Sequence, residues 1–224
     1  FIKENNGISS ALNFGVEKIK TKYFLQISPD IEFNFNKLEV FLNYAKEIKD
    51  KFAALGPRFL NVKEKSHKQI DNKLEAGEID SIHGSCMFIN KENFKIIGKF
   101  DENFFLYFEE TEYCFRAKRK GYRSYQINLI EVETKGRSVE IYKETEQKLN
   151  NILIWHFIWS KFYFSKKKYG NFFSVLIFIP LLLRTNFKIL FYKVLQNKKL
   201  ADKYKYRLNG LFKSMLGESS DLRP

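Results

Sequence analysis

Cysteine is scarce: Cys86 and Cys114 are the only two in 224 residues. Two thiols build neither a disulfide framework nor a cysteine metal cluster, so they read as reduced core residues of a cytosolic protein. Long apolar runs are also lacking. The most apolar stretch, Phe172–Leu183, is an uncharged run of 12 residues, short of the ~20 that a membrane-spanning helix needs. The chain opens on Phe1-Ile2-Lys3, with neither an initiator Met nor a signal-peptide pattern, and is expected to begin inside a longer protein. Acidic residues are missing in one place: residues 1–150 carry 25 Lys+Arg against 23 Asp+Glu, whereas residues 151–224 carry 14 against 3. The formal net charge of +13 therefore sits almost wholly in the last third.

What is present is a chain able to fold. Hydrophobic residues make up 44% and aromatics 17%, which argues against disorder. Ile8, Leu12, Val16 and Ile19 recur at helical spacing over residues 5–20. Tyr23–Ile27 has the apolar density of a buried strand and ends at Ser28-Pro29-Asp30. Residues 36–50 form an amphipathic helix through Leu38, Phe41, Leu42, Ala45 and Ile48. Ala53–Leu60 is a further strand, interrupted by Gly56-Pro57, and residues 61–80, polar and without period, read as a surface loop. A strand within Ser81–Asn90, a short helix over Lys91–Gly98, and a strand over Tyr122–Val132 follow. From Glu140 onward the pattern is helical, with a basic tail from Leu200 to Pro224.

The organising stretch runs from Gly98 to Gly121. Phe104, Phe105, Tyr107 and Phe108 lead directly into Glu109, Glu110 and Glu112, and a basic helical segment closes on Gly121. Acids after an apolar run mark a helix start, where the helix dipole favours negative charge. Burial and mutual repulsion there raise a carboxyl pKa toward neutrality, which suits a general base. Arg116 is expected to pair with Glu112 at i, i+4. His83 has no metal-type neighbour in sequence and reads as a structural or loop histidine.

The segment from Gly84-Ser85-Cys86 through Phe100-Asp101-Glu102 and Phe104-Phe105-Leu106-Tyr107 to Glu109-Glu110-Thr111-Glu112-Tyr113-Cys114-Phe115-Arg116 resembles the acceptor-side half of family 2 glycosyltransferases, most closely the rhamnosyltransferase-like branch. The resemblance implies a GT-A fold: a mixed, mostly parallel α/β sheet with flanking helices. It divides the chain into a partial catalytic domain, residues 1–138, and a C-terminal helical extension, residues 139–224. The first base-gripping strand–helix unit would lie upstream. It implies inverting transfer of a sugar from a nucleotide-diphosphate donor to a glycan or lipid-linked acceptor. Glu110 takes the family's catalytic Asp position. Glu109, Glu112, Gly84 and Ser85 would meet the acceptor. Asn6, Gly7 and Asn13 match a donor-side helix, and Asp30 matches the family's metal-binding acid, which implies Mg²⁺ or Mn²⁺.

The sequence departs from that family where a His normally follows the last strand. Val132–Ser138 keeps Gly136 and Ser138 but lacks the His, leaving Glu133 as an oxygen ligand, or Lys135 and Arg137 as direct partners of a diphosphate. The departure also keeps open a non-catalytic relative that binds nucleotide sugar or glycan. The aromatic helix Asn151–Tyr169, followed by Lys166-Lys167-Lys168 and the apolar run, suits either a membrane interface or helix packing on the catalytic domain or a second subunit. Its phenylalanines favour lipid over nucleic acid. The expected location is cytoplasmic, at the inner face of the membrane.

Overall fold

A computed structural model describes residues 4–61, 68–135 and 143–223. They group into two compact units. The boundary expected at 138/139 lies outside the described residues. The chain also divides differently from that expectation: residues 102–108 and the residues before Ser10 cluster with the C-terminal helices.

The first unit comprises Ser10–Asp101 and Glu109–Glu140. Its elements are helix α1 (Ile8–Lys18, whose first two residues belong to the other unit), strands β1 (Tyr23–Ile27) and β2 (Ile31–Glu32), helix α2 (Leu38–Glu47), strands β3 (Phe52–Phe59), β4 (Ala76–Ile79) and β5 (Cys86–Asn90), helices α3 (Lys91–Ile97) and α4 (Glu109–Arg119), and strand β6 (Arg123–Thr134). The sheet order is β1-β5-β3-β6-β2, with β4 also on β6. The expected mixed α/β sheet with flanking helices is therefore present, but it is not mostly parallel. Among the described residues only β3 and β6 pair in parallel; β1/β5, β3/β5, β4/β6 and β2/β6 are antiparallel. The physical reason is the placement of β5. It runs against both neighbours, so β1 and β3 share a direction without touching.

All five residues of β5 are buried, the pattern of a strand covered on both faces. Met87 and Ile89 point into one cluster with Val16, Phe94, Ile97, Tyr113 and Cys114, beneath α1, α3 and α4. Phe88 points into the other, with Phe41, Ala45, Phe52 and Leu55, beneath α2. Phe41 and Phe88 stack there at 5.2 Å between centroids. Cys86 and Cys114 are free and fully inside. Burial pushes the Cys86 thiol up to about 12 and also raises Cys114. The Asn90 side chain caps α3 by accepting from the backbone N–H groups of Glu92 and Asn93. The interruption expected at Gly56-Pro57 does not end β3; the strand runs through, with a register shift after Pro57. Strand β4 lies in the stretch read as a loop. It has no apolar run to announce it; main-chain pairing sets it on β6 from Ala76↔Ile127 to Ile79↔Ser124.

The second unit comprises the residues before Ser10, Glu102–Phe108 and the C-terminal helices. The helices are α5 (Lys143–Tyr169), α6 (Asn171–Val194) and α7 (Lys198–Leu216). Ile158, Phe162, Phe178 and Leu211 form their shared core. The Ser160 hydroxyl donates to the Leu106 carbonyl at 2.8 Å, and His156 stacks on Phe105 at 4.7 Å. The basic tail expected from Leu200 is mostly helix α7, capped by the Asn197 side chain. The apolar run judged too short to span a membrane is the start of a longer element: α6 continues through Pro180 for 24 residues and is long and apolar enough to cross one. Its outer face is bare, with Phe172 70%, Phe187 67% and Val194 74% exposed.

Candidate active site

The carboxylates of the organising stretch diverge at the start of α4. Glu112 turns inward and is 1% exposed. The Arg116 guanidinium clasps it at 3.1–3.3 Å, as the i, i+4 spacing predicts, and also donates to the carbonyls of Ile97, Gly98 and Lys99. Its carboxylate is thus taken up inside the protein rather than offered to an acceptor. Arg116 ties α4 to the end of α3.

Glu109 and Glu110 form a coupled pair. Burial, then the charge of Glu110, pushes Glu109 up to about 8, and its Oε2 has no hydrogen-bond partner. Burial raises Glu110 too, but its own backbone N–H, that of Thr111, the Thr111 hydroxyl (3.1 Å) and Glu109 all favour its charged form. Of the two, Glu110 gives up its proton first: more donors favour its charged form, at a helix N-terminus, and that charge then holds the proton on Glu109. Glu110 keeps partial solvent access.

Gly84 is where Glu110 meets the sheet. A methyl group added at Gly84 would lie at ordinary contact distance, 3.4 Å from Glu110 Cγ and 3.5 Å from its Oε2, so the carboxylate lies against this backbone. The Gly84 carbonyl accepts from the Gln26 side chain, whose buried Oε1 is itself unpaired. The Ser85 carbonyl accepts from the Ser28 N–H at 2.8 Å, carrying the pairing of β5 with β1 to the strand end. Two residues later comes Asp30, which accepts from the Thr134 hydroxyl at 3.0 Å and whose carbonyl accepts from the Lys135 N–H at 2.8 Å. Asp30 also faces His83 electrostatically. Burial keeps His83 neutral, its Nδ1 accepting from the Ser85 N–H while its ring packs on Phe59. Asp30 and Glu110 thus border the same segment, His83–Ser85.

Of the residues matched to a donor-side helix, Asn13 is taken up by main chain. Asn13 is 2% exposed, and its side-chain amide both donates to and accepts from the Phe100 backbone, at 2.9 and 3.0 Å. Asn6 and Gly7 belong to the helical unit. Asn6 is exposed there. Gly7, at φ +93°, sits so close to Phe105 that an added Cβ would lie 2.6 Å from that residue's backbone. Glu133 is exposed on β6 opposite Glu32, and Lys135 pairs with Glu32 at 2.6 Å. Gly136, Arg137 and Ser138 lie outside the described residues. Among the described residues no group of three or more His, Cys, Asp and Glu is placed to hold a metal ion. Asp30 with His83 beside it offers fewer ligands than a closed metal cage, and suits a hard cation only if phosphate oxygens complete the shell. Thr134, the companion of Asp30, escaped sequence reading because a hydroxyl in a strand carries no motif.

No protein-family model matches the chain. It is similar to the low-salt glycan biosynthesis hexosyltransferase Agl10 of Haloferax volcanii, with 28% identity over 149 residues covering 57% of this chain and 48% of that protein. It is also similar to an uncharacterized glycosyltransferase of Rickettsia typhi, with 31% identity over 116 residues covering 46% of this chain and 36% of that protein. The chain spans half or less of the length of these relatives. Among solved structures, GalNAc-T7 with UDP, GalNAc and Mn²⁺ aligns at a TM-score of 0.49 and 16% identity, over 73% of this chain and 38% of that one. Residues 1–349 of S. aureus TarS in complex with UDP align at 0.45 and 10% identity, over 97% of this chain and 74% of that one.

Proposed function

We propose that this chain is part of a GT-A glycosyltransferase of the family 2, rhamnosyltransferase-like kind. It moves a sugar, rhamnose in the first instance, from a nucleotide-diphosphate donor to a glycan or lipid-linked acceptor in surface polysaccharide assembly, with inversion, at the inner face of the cytoplasmic membrane. The names of the relatives support glycosyl transfer. What supports the mechanism is the placement of the buried, mutually repelling Glu109–Glu110 pair, with Glu110 against Gly84. Glu110 takes the acceptor hydroxyl proton as that oxygen bonds to the anomeric carbon and the bond to the diphosphate breaks. Glu109, holding its own proton, confines the negative charge to Glu110. Gly84 and Ser85 border the acceptor. Asp30 would hold a divalent cation against the donor diphosphate, and the cation would offset the charge of that leaving group.

The test is sugar transfer by the full-length protein with Glu110→Gln and Glu110→Asp. A general base contributes about 10²–10⁴-fold, so Glu110→Gln is expected to lose at least ~100-fold while still binding donor. Undiminished turnover would remove Glu110 as the base. A second reading, a catalytically impaired relative that binds nucleotide sugar, is favoured by the sparse ligand set at Asp30. Calorimetry with nucleotide sugars and Mn²⁺ separates the two, since binding without turnover supports the relative.

A further inference from the structure

The helical unit carries a cavity of about 590 Å³ between α5 and α7, within the size range of small-molecule sites. One wall is a column of cations. Lys199, Lys203 and Arg207 recur every four residues on α7 and all line the space, as side chains at i, i+4 and i+8 must when they share a face. The opposite wall, on α5, is polar at Gln147 and Asn150 and apolar at Phe157.

Among the described residues no carboxylate answers these cations. The one acid in α7, Asp202, is held by Lys205 at 2.7 Å. Among the described residues, no ion pair engages Lys199, Lys203 or Arg207. A further cation is close by: Arg184 of α6 disfavours the charge on the half-buried Arg207, whose pKa burial already lowers. Converging, unpaired positive charge in a partly enclosed space is unfavourable unless an anion neutralises it. A phosphate monoester or diphosphate, with close to two negative charges and several acceptor oxygens, matches an Arg–Lys set better than a single carboxylate does.

The apolar surroundings identify the carrier. Arg184 projects from α6, whose outer face exposes Leu183 65%, Phe187 67% and Phe191 46%. An anion bound beside such a face has lipid chains as its natural continuation. We infer that the α5–α7 cavity receives the phosphate or diphosphate headgroup of a lipid, held by Lys199, Lys203 and Arg207, with its chains against α6. This goes beyond glycosyl transfer and does not depend on it.

The experiment is vesicle flotation of the intact chain. It compares phosphatidylcholine alone, phosphatidylcholine with phosphatidic acid, and phosphatidylcholine with phosphatidylserine at matched charge. Binding to phosphatidic acid is expected to be about tenfold tighter than to phosphatidylserine. Arg207→Gln and Lys203→Gln are each expected to weaken it roughly tenfold, and inorganic pyrophosphate to compete. Arg207→Lys, which keeps charge and bulk but loses the forked donors, should fall between and guards against a folding defect. A triple Lys166→Gln, Lys167→Gln, Lys168→Gln variant, altered away from the cavity, should weaken binding less than the cavity variants do and leave the preference for phosphatidic acid in place. Equal binding to both anionic lipids, or an equal loss in the triple variant, would reduce the effect to general surface charge and overturn the inference. Pyrophosphate binding that Arg207→Gln abolishes, without vesicle preference, would assign the cavity to a free anion and overturn the lipid carrier. Displacement of the protein from vesicles by duplex DNA at stoichiometric amounts would overturn it in favour of nucleic acid. None of these readouts requires sugar turnover, so their failure leaves the transferase reading to its own test.

Discussion

The Glu109 proton has a measurable cost. A carboxyl that titrates ordinarily at 4.5 but in the folded protein at about 8 binds a proton in the native state that the unfolded chain has released. For an acid raised in this way, stability is greatest below about pH 4.5 and is lost as pH climbs toward about 8, after which it is level. Each pH unit across that window is worth about 1.36 kcal/mol, so the full loss is on the order of 5 kcal/mol, shared with Glu110 because the two sites titrate together. Replacement by Gln keeps the shape and removes the ionisation. The assay is urea denaturation of wild type and Glu109→Gln at pH 5, 6, 7, 8 and 9, at fixed ionic strength. The difference between the two curves is the quantity of interest, since other groups cancel in it. Glu109→Gln should gain on the wild type as pH rises, by about 2–4 kcal/mol over the range. A difference that stays flat would refute the burial argument and the placing of the retained proton on Glu109.

Three further outcomes follow from the geometry. Arg116→Met takes the guanidinium away from the buried Glu112 carboxylate, and thermal melting should show a loss of about 3–5 kcal/mol. Asn13→Ala strands the N–H and C=O of Phe100 (2% exposed) and should cost about 1–3 kcal/mol in denaturant titration. Calorimetric affinity for a nucleotide sugar should be unchanged in the same variant; a selective affinity loss would restore a donor-side role for Asn13. Gly7→Ala forces a Cβ to 2.6 Å from the Phe105 backbone at φ +93° and should destabilise by more than ~1 kcal/mol, read as a lowered melting temperature.

Much of this arrangement was legible because it rests on periodicity. The face of Leu38, Phe41, Leu42 and Ala45 announces α2, and Tyr23–Ile27 announces β1. What escaped rests on main chain or on distant partners. Strand β4 is held by backbone pairing to β6 and has no apolar signature. The direction of β5 against β1 and β3 is a matter of topology that local pattern does not encode. Helix α6 runs past Pro180, although an interior proline removes a helical bond and crowds the preceding turn, so local pattern alone reads it as a stop. The same division holds at the site. The carboxylate cluster and the Glu112–Arg116 pair are local and were readable. The burial of Glu109, the engagement of Asn13 by Phe100, and the company of Thr134 and His83 around Asp30 arise from residues far apart in the chain.

The two cysteines have a practical use. Cys86 and Cys114 are 0% and 1% exposed, and the first holds its proton up to about pH 12. Maleimide reagents, which need an accessible thiolate, will pass both by. A single new thiol on the outer face of α6 can therefore carry a dye or spin label in an otherwise natural background, with no silencing substitutions in the sheet.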